Sequence, residues 1–150
     1  MKNWFEGSNL IECSFQSLER AIENHGSFYE GVVSFMSGIS SVEILEQGTD
    51  YLVIKTNEGI MKRTKIKKSI AQDIISVEFD EEYKAGKMIT TSSHFFDEFT
   101  STENGIKHST TITDVKAPGI LGFFYRVFGS ANIGKAVLIS HKIYLEALKG

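Results

Sequence analysis

Four histidines, His25, His94, His108 and His141, and one cysteine, Cys13, are the side chains of this 150-residue chain best suited to nucleophilic, acid–base or metal chemistry near neutral pH. Their spacing is unhelpful for a metal. No H-x-x-x-H or H-E-x-x-H pair occurs, so the sequence predicts no metal and no cofactor. A single cysteine makes neither an intramolecular disulfide nor a cysteine-based zinc site. Cys13 sits beside an expected strand, where a buried inert thiol is the simplest reading. His108 and Asp97 are the acid–base candidates, on strands expected to be neighbours, and Asp114 offers a second carboxylate to Asp97. In the register deduced below, Asp97 stands opposite Ile112 and no direct contact with His108 is expected. No residue is therefore assigned a catalytic role. The basic run from Lys62 to Lys68 invites a polyanion, but Glu78, Asp80, Glu81 and Glu82 on the next strand answer it. With 16 basic and 19 acidic residues and a net charge of −3, no nucleic-acid partner is expected.

Which elements position these groups follows from periodicity. Asn9–Phe15 reads as a first strand. A short helix starts with Ser17 as its cap and stops at His25-Gly26-Ser27. Ser27, with Glu30 three residues on, reads as the capping box of a second helix. Phe28, Val32, Phe35 and Met36 recur there at helical spacing, and Gly38 ends it. From Ser41 the apolar period changes to two. Six strands follow, at Val42–Glu46, Tyr51–Thr56, Ile60–Lys68, Ile74–Tyr83, Lys87–Phe99 and Ile106–Val115. Their turns fall at Gln47–Asp50, Asn57-Glu58-Gly59, Lys84-Ala85-Gly86 and Asn104-Gly105. The one proline, Pro118, marks the end of the sheet. An aromatic segment, Gly119–Phe128, leads to a long helix at Ala131–Lys149. There Lys135, Lys142, Glu146 and Lys149 form the expected wet stripe, opposite Ile133, Val137, Ser140, Tyr144 and Leu148.

No internal repeat or linker interrupts the chain, so a single domain over 1–150 is expected. Its 41% hydrophobic and 23% charged residues are ordinary for a globular protein. No 18-residue apolar run exists, so no stable membrane insertion is expected. Met1–Glu6 lacks the apolar stretch of a signal peptide, and with one thiol in the chain a cytoplasmic location is expected.

The element order, together with Ile44-Leu45-Glu46-Gln47-Gly48, Pro118-Gly119-Ile120-Leu121-Gly122, Arg126-Val127-Phe128 and Tyr144-Leu145-Glu146-Ala147-Leu148-Lys149, resembles the START-like, or SRPBCC, superfamily. That group includes lipid-transfer START domains, birch-pollen-allergen-like proteins and polyketide cyclase/dehydratase-like proteins. The resemblance implies an α+β helix-grip fold. A seven-stranded curved antiparallel sheet would wrap around the C-terminal helix, with two short helices between strands 1 and 2. It also implies a cavity between sheet and helix for a hydrophobic or amphipathic small molecule or lipid.

Turn chemistry indicates which side chains face that cavity. A three-residue loop at Asn57-Glu58-Gly59 pairs Thr56 with Ile60 and turns Leu52, Ile54, Lys62 and Thr64 inward, facing Val77 and Phe79. Arg63, Lys65 and Lys67 then point outward. A similar loop at Lys84-Ala85-Gly86 turns Thr91, Ser93, Phe95 and Asp97 inward. A two-residue turn at Asn104-Gly105 does the same for His108, Thr110, Ile112 and Asp114. One bulge reverses any of these. The last helix adds Val137, Ser140 and Tyr144, and the aromatic segment adds Phe124 across the mouth. Hydroxyls at Thr64, Thr91, Ser93 and Thr110 among apolar residues suit a wet or ligand-filled wall better than a solid core. Ser140 can instead bond back to its own helix. Lys62 would hold a ligand carboxylate or phosphate, or else extend to water. The first functional expectation is a small-molecule binding module. The alternatives are a cyclase- or dehydratase-type enzyme using His108 with Asp97 or Tyr144, and a protein-interaction module.

Overall fold

A computed structural model describes residues 3–85, 89–117 and 129–148, with the side chains of Ile89 and Ser130 excepted. The chain runs β1 (Phe5–Ile11), α1 (Phe15–Ile22), α2 (His25–Ser34), β2 (Val42–Gln47), β3 (Leu52–Thr56), β4 (Ile60–Ala71), β5 (Ile74–Ala85), β6 (Ile89–Thr102), β7 (Gly105–Lys116) and α3 (Ser130–Leu148). The seven strands form one antiparallel sheet in the order β1-β7-β6-β5-β4-β3-β2. Helix α3 packs chiefly on β1, and then on α2 and β7. This is the expected α+β helix-grip arrangement. Phe124 and the whole of 118–128, expected to cross the cavity mouth, lie outside the described residues.

Local signals place the small helices slightly differently from expectation. Ser14 rather than Ser17 caps α1: its Oγ accepts the Ser17 amide at 3.1 Å. Asn24 caps α2, its Oδ1 accepting the Ser27 amide at 3.1 Å, so Ser27 is a donor in the first turn and not the cap. Both caps sit one turn earlier because an acceptor with extended backbone was available three residues upstream. Phe15 joins α1, and β1 begins at Phe5 instead of Asn9.

The turns decide which side chains are inside. At β3–β4 the Thr56 Oγ accepts the amides of Glu58 and Gly59, each at 3.1 Å, and the Thr56 amide donates to the Gly59 carbonyl at 2.8 Å. This tight closure pairs Lys55, not Thr56, with Ile60. The one-residue slip turns β4 over. Met61 and Arg63 face inward and are buried, whereas Lys62 is exposed and Thr64 shares the outer face with Asp80. Lys62 and Thr64 are therefore not cavity residues. A bulge between Thr64 and Lys67, with Lys65 at φ 54°, then restores the original alternation.

At β6–β7 the two-residue turn is Glu103-Asn104, closed by the pair Thr102–Gly105. Gly105 takes φ 139°, and a Cβ there would lie 2.3 Å from the Ile11 carbonyl oxygen, so glycine is needed for the close approach of β1. Moving the turn by one residue keeps the same faces but shifts every partner by two. Asp97 stands opposite Thr110, not Ile112. Asp114, at φ 55° within a second bulge, is exposed and forms no carboxylate pair with Asp97.

Helix α3 is rotated from the expected phase. Lys142 Nζ donates to the Leu10 carbonyl at 2.9 Å and pairs with Glu146, whose Oε2 accepts the Glu12 amide at 2.8 Å. The end of β1 leaves these backbone groups needing charged partners. The wet stripe consequently moves to Lys135, Ile139, Ile143 and Ala147, and the buried face is Gly134, Val137, Leu138, His141 and Leu145, with Ser140.

On the outer face the basic and acidic strands do answer each other, with Lys62 opposite Glu82 and Lys67 opposite Glu78. His94 lies between Asp80 Oδ1, 2.8 Å from Nδ1, and Glu78 Oε2, 3.1 Å from Nε2. Partial burial pulls its pKa down, but the hydrogen bonds and charges of Asp80 and Glu78 outweigh that and hold it above the usual histidine value. A raised folded-state pKa favours the native state below about pH 6.5, and the gain is lost as pH rises through the folded value. His94→Gln is therefore expected to cost at most about 1 kcal/mol at pH 5.5 and less at pH 8.5. Urea unfolding at both pH values checks this; a larger loss at the alkaline end would refute it.

Candidate functional site

The inner faces of β4, β5 and β6, the residues that follow α2 and one face of α3 border a cavity of about 150 Å³. Met36, Ile39, Met61, Phe95, Ile133 and Val137 supply its apolar wall, and Arg63, Glu81 and Tyr83 its polar side. A much smaller inner pocket of about 10 Å³ adjoins it, sharing Met36, Arg63, Phe95 and Val137. Its deep wall is Asp97, Ser140 and His141.

Arg63 and Glu81 are cross-strand partners whose side chains are only 8% and 11% exposed. Arg63 Nε donates to Glu81 Oε2 at 2.9 Å, the one hydrogen bond its guanidinium makes among the described residues. The guanidinium carbon sits 4.5 Å from the Tyr29 ring centroid and 4.6 Å from that of Phe79. Charge pairing and two aromatic faces together hold a cation inside the sheet. The Tyr29 hydroxyl is pushed far above its ordinary pKa, first by burial and then by the Asp97 charge, so it stays protonated.

Deeper, three elements bring polar groups together. His108 Nε2 lies 2.8 Å from Asp97 Oδ1, and Thr110 Oγ donates to the same oxygen at 2.6 Å. Burial raises the Asp97 pKa, but the His108 hydrogen bond, the His108 and His141 charges and the Thr110 hydroxyl outweigh it, so the carboxyl is held below its usual range. His141, one helix turn after Val137, lies 2.7 Å through Nδ1 from the Val137 carbonyl. Because a carbonyl only accepts, Nδ1 carries the proton. The His108 and His141 ring centroids are 4.4 Å apart, and Phe99 stacks on His108 at 4.4 Å. Burial and the neighbouring His108 charge push His141 down to about 3, so it is neutral at physiological pH. His108 Nδ1 and His141 Nε2 are buried without a partner among the described residues.

Of the residues expected to face the cavity, Phe95 and Val137 line both spaces, and Phe79 and Ser140 the inner one. Leu52, Ile54, Val77, Thr91, His108, Thr110 and Ile112 are buried on the inner face but line neither space. Ser93 is half-buried opposite Glu81. Tyr144 is half-buried, its ring 5.8 Å from Phe28 and pressed on Gly31, toward the other end of the helix. Ser140 Oγ donates to the Val137 carbonyl at 3.0 Å, the helix back-bond its type allows. The residues not anticipated at the site were Arg63, Glu81, Tyr29, Met36 and His141. A signal for His141 existed: it lies four residues from Val137, on the buried side once the helix phase is corrected. The expected separation of Asp97 and His108 fails because of the displaced β6–β7 turn. His108 stands behind Asp97 and His141, out of reach of a molecule in either space.

No family model and no curated protein matches the chain. Solved structures do. A hypothetical protein from Helicobacter pylori superposes with TM-score 0.64 at 9% identity, over 93% of this chain and 86% of that one. An uncharacterized protein from Rhizobium leguminosarum gives 0.62 at 10% identity, over 95% and 93%. A fragment described as a STAR-related lipid transfer protein from Xanthomonas axonopodis gives 0.56 at 11% identity, over 93% and 84%. At such identities the likeness is one of fold. In fold the chain is similar to these structures: it has the helix-grip arrangement, a seven-stranded antiparallel sheet closed by its C-terminal helix.

Proposed function

We propose that this protein binds a small hydrophobic or amphipathic molecule between its sheet and α3, without turning it over. The observation that carries this reading is the apolar-walled cavity with Arg63 on its polar side. Apolar burial would supply most of the free energy, at roughly 25 cal/mol per Å². The guanidinium N–H groups not engaged by Glu81 would take the ligand's hydrogen-bond-accepting end. The lipid-transfer description of the Xanthomonas neighbour is in keeping with such a ligand. At about 150 Å³ the cavity is below the roughly 300–1,000 Å³ usual for ligand sites. Met36 and Met61 are unbranched and re-pack readily, so a longer tail would enter by displacing them.

Native mass spectrometry after incubation with a series of fatty acids tests this. One bound molecule per chain is expected. Ala136→Leu, which narrows the cavity, is expected to reduce retention at least about tenfold while changing stability by no more than about 1 kcal/mol. Equal retention by Ala136→Leu, or none by the parent protein, would remove the cavity as the binding site.

A further inference from the structure

We propose that Asp97, His108 and His141 form a buried site for one divalent first-row transition-metal ion. One ligating atom from each residue lies within 4.8 Å of the other two, and the three residues are 1%, 0% and 3% exposed. Ligands on one tetrahedral ion at bonds of about 2.0–2.2 Å stand roughly 3.3–3.6 Å apart, so side-chain rotation that draws the three atoms together completes the set. Buried polar atoms are nearly always satisfied, so His141 Nε2, without a partner among the described residues, needs an explanation. An ion held by that nitrogen together with Asp97 and His108 provides it.

The surroundings already have the form that metal ligands need. His141 donates its Nδ1–H to the Val137 carbonyl, which fixes the tautomer and leaves the Nε2 lone pair available. Asp97 is oriented by the Thr110 hydroxyl. The inner pocket against Asp97, Ser140 and His141, about 10 Å³, is close to the space one water requires, so a fourth ligand fits on the side facing the larger cavity. Two imidazoles and one carboxylate suit zinc or ferrous iron; magnesium and calcium prefer all-oxygen shells. The nearby Arg63 charge is neutralised by Glu81 and does not bar a cation. This inference is independent of whether the outer cavity holds a lipid-like molecule.

The test uses full-length protein treated with a chelator, supplied with Zn²⁺ and then desalted. One zinc per chain by elemental analysis and a rise in melting temperature are expected. Cobalt substitution should give the visible absorption of a tetrahedral site. His141→Leu, which removes a neutral ligand and leaves no charge unpaired, should lose the zinc and the melting-temperature rise. Thr110→Val removes only the group orienting Asp97, and should weaken zinc by roughly 10–100-fold. His94→Gln, on the outer face beside Asp80 and Glu78, should keep the full equivalent. No retained zinc in the parent protein, retention by His141→Leu, or loss in His94→Gln would each overturn the assignment.

Discussion

Glu81→Leu is expected to destabilise the protein by roughly 3–5 kcal/mol, because it strands the Arg63 guanidinium in the sheet interior. The same reasoning sets a second expectation of opposite character. In Arg63→Met/Glu81→Leu both charges leave together, and the replacements fill similar volume against Tyr29 and Phe79. That double variant should lie within about 1–2 kcal/mol of the parent protein. Denaturant unfolding of the two singles and the double closes a mutant cycle. A coupling energy near zero would mean that the pair is solvated and the charge is not confined. The double variant also bears on ligand choice. If Arg63 receives the polar end of the bound molecule, fatty-acid retention should fall in it although its stability does not.

His141 carries the second large effect, here for the metal-free protein. Its folded-state pKa of about 3 lies well below the unfolded value of about 6.5. Between those limits the unfolded chain takes up a proton that the native state refuses. Stability present above pH 6.5 is therefore lost as pH falls toward 3, by roughly 4 kcal/mol over the whole window. Burial is the main cause, and the His108 charge beside the ring and the Arg63 charge across the inner pocket add to it; Asp97 and the Val137 carbonyl favour the protonated ring and are outweighed. Asp97, whose pKa is also depressed, adds loss at the acid end of the same range. His141→Leu removes the penalty. At pH 7 it should differ from the parent by no more than about 1 kcal/mol, since Ser140 Oγ still donates to the Val137 carbonyl. At pH 4.5 it should be the more stable of the two. Parallel stability–pH curves for the two proteins from pH 4 to 7 would show that His141 is not buried neutral.

Much of this was legible locally. Alternation of period two marks the inner faces of β5, β6 and β7, because Phe79, Phe95 and Ile112 cannot all be exposed and each strand has only two faces. The basic and acidic runs of β4 and β5 match because they are adjacent in a hairpin. Where reading failed, the cause was a hydrogen bond that composition does not reveal. The Thr56 hydroxyl takes two loop amides and slips β4 by one residue, which exchanges Lys62 for Arg63 inside the sheet. The turn at Glu103-Asn104 moves the β6–β7 register by two, which brings His108 onto Asp97. Backbone groups at the end of β1 draw Lys142 and Glu146 inward and rotate His141 onto the buried face.

The sequence by itself determined the order of elements, the antiparallel sheet and the long closing helix, since periodicity, turn residues and caps act over a few residues. The convergence of Asp97, His108 and His141, and the burial of Arg63 against Glu81, were decided only by the tertiary structure. Those groups come from separate elements, and their meeting depends on turn hydrogen bonds, bulges and helix phase. An error of one residue in any of these moves a side chain to the opposite face or shifts its partner, so no spacing rule along the chain could specify the site.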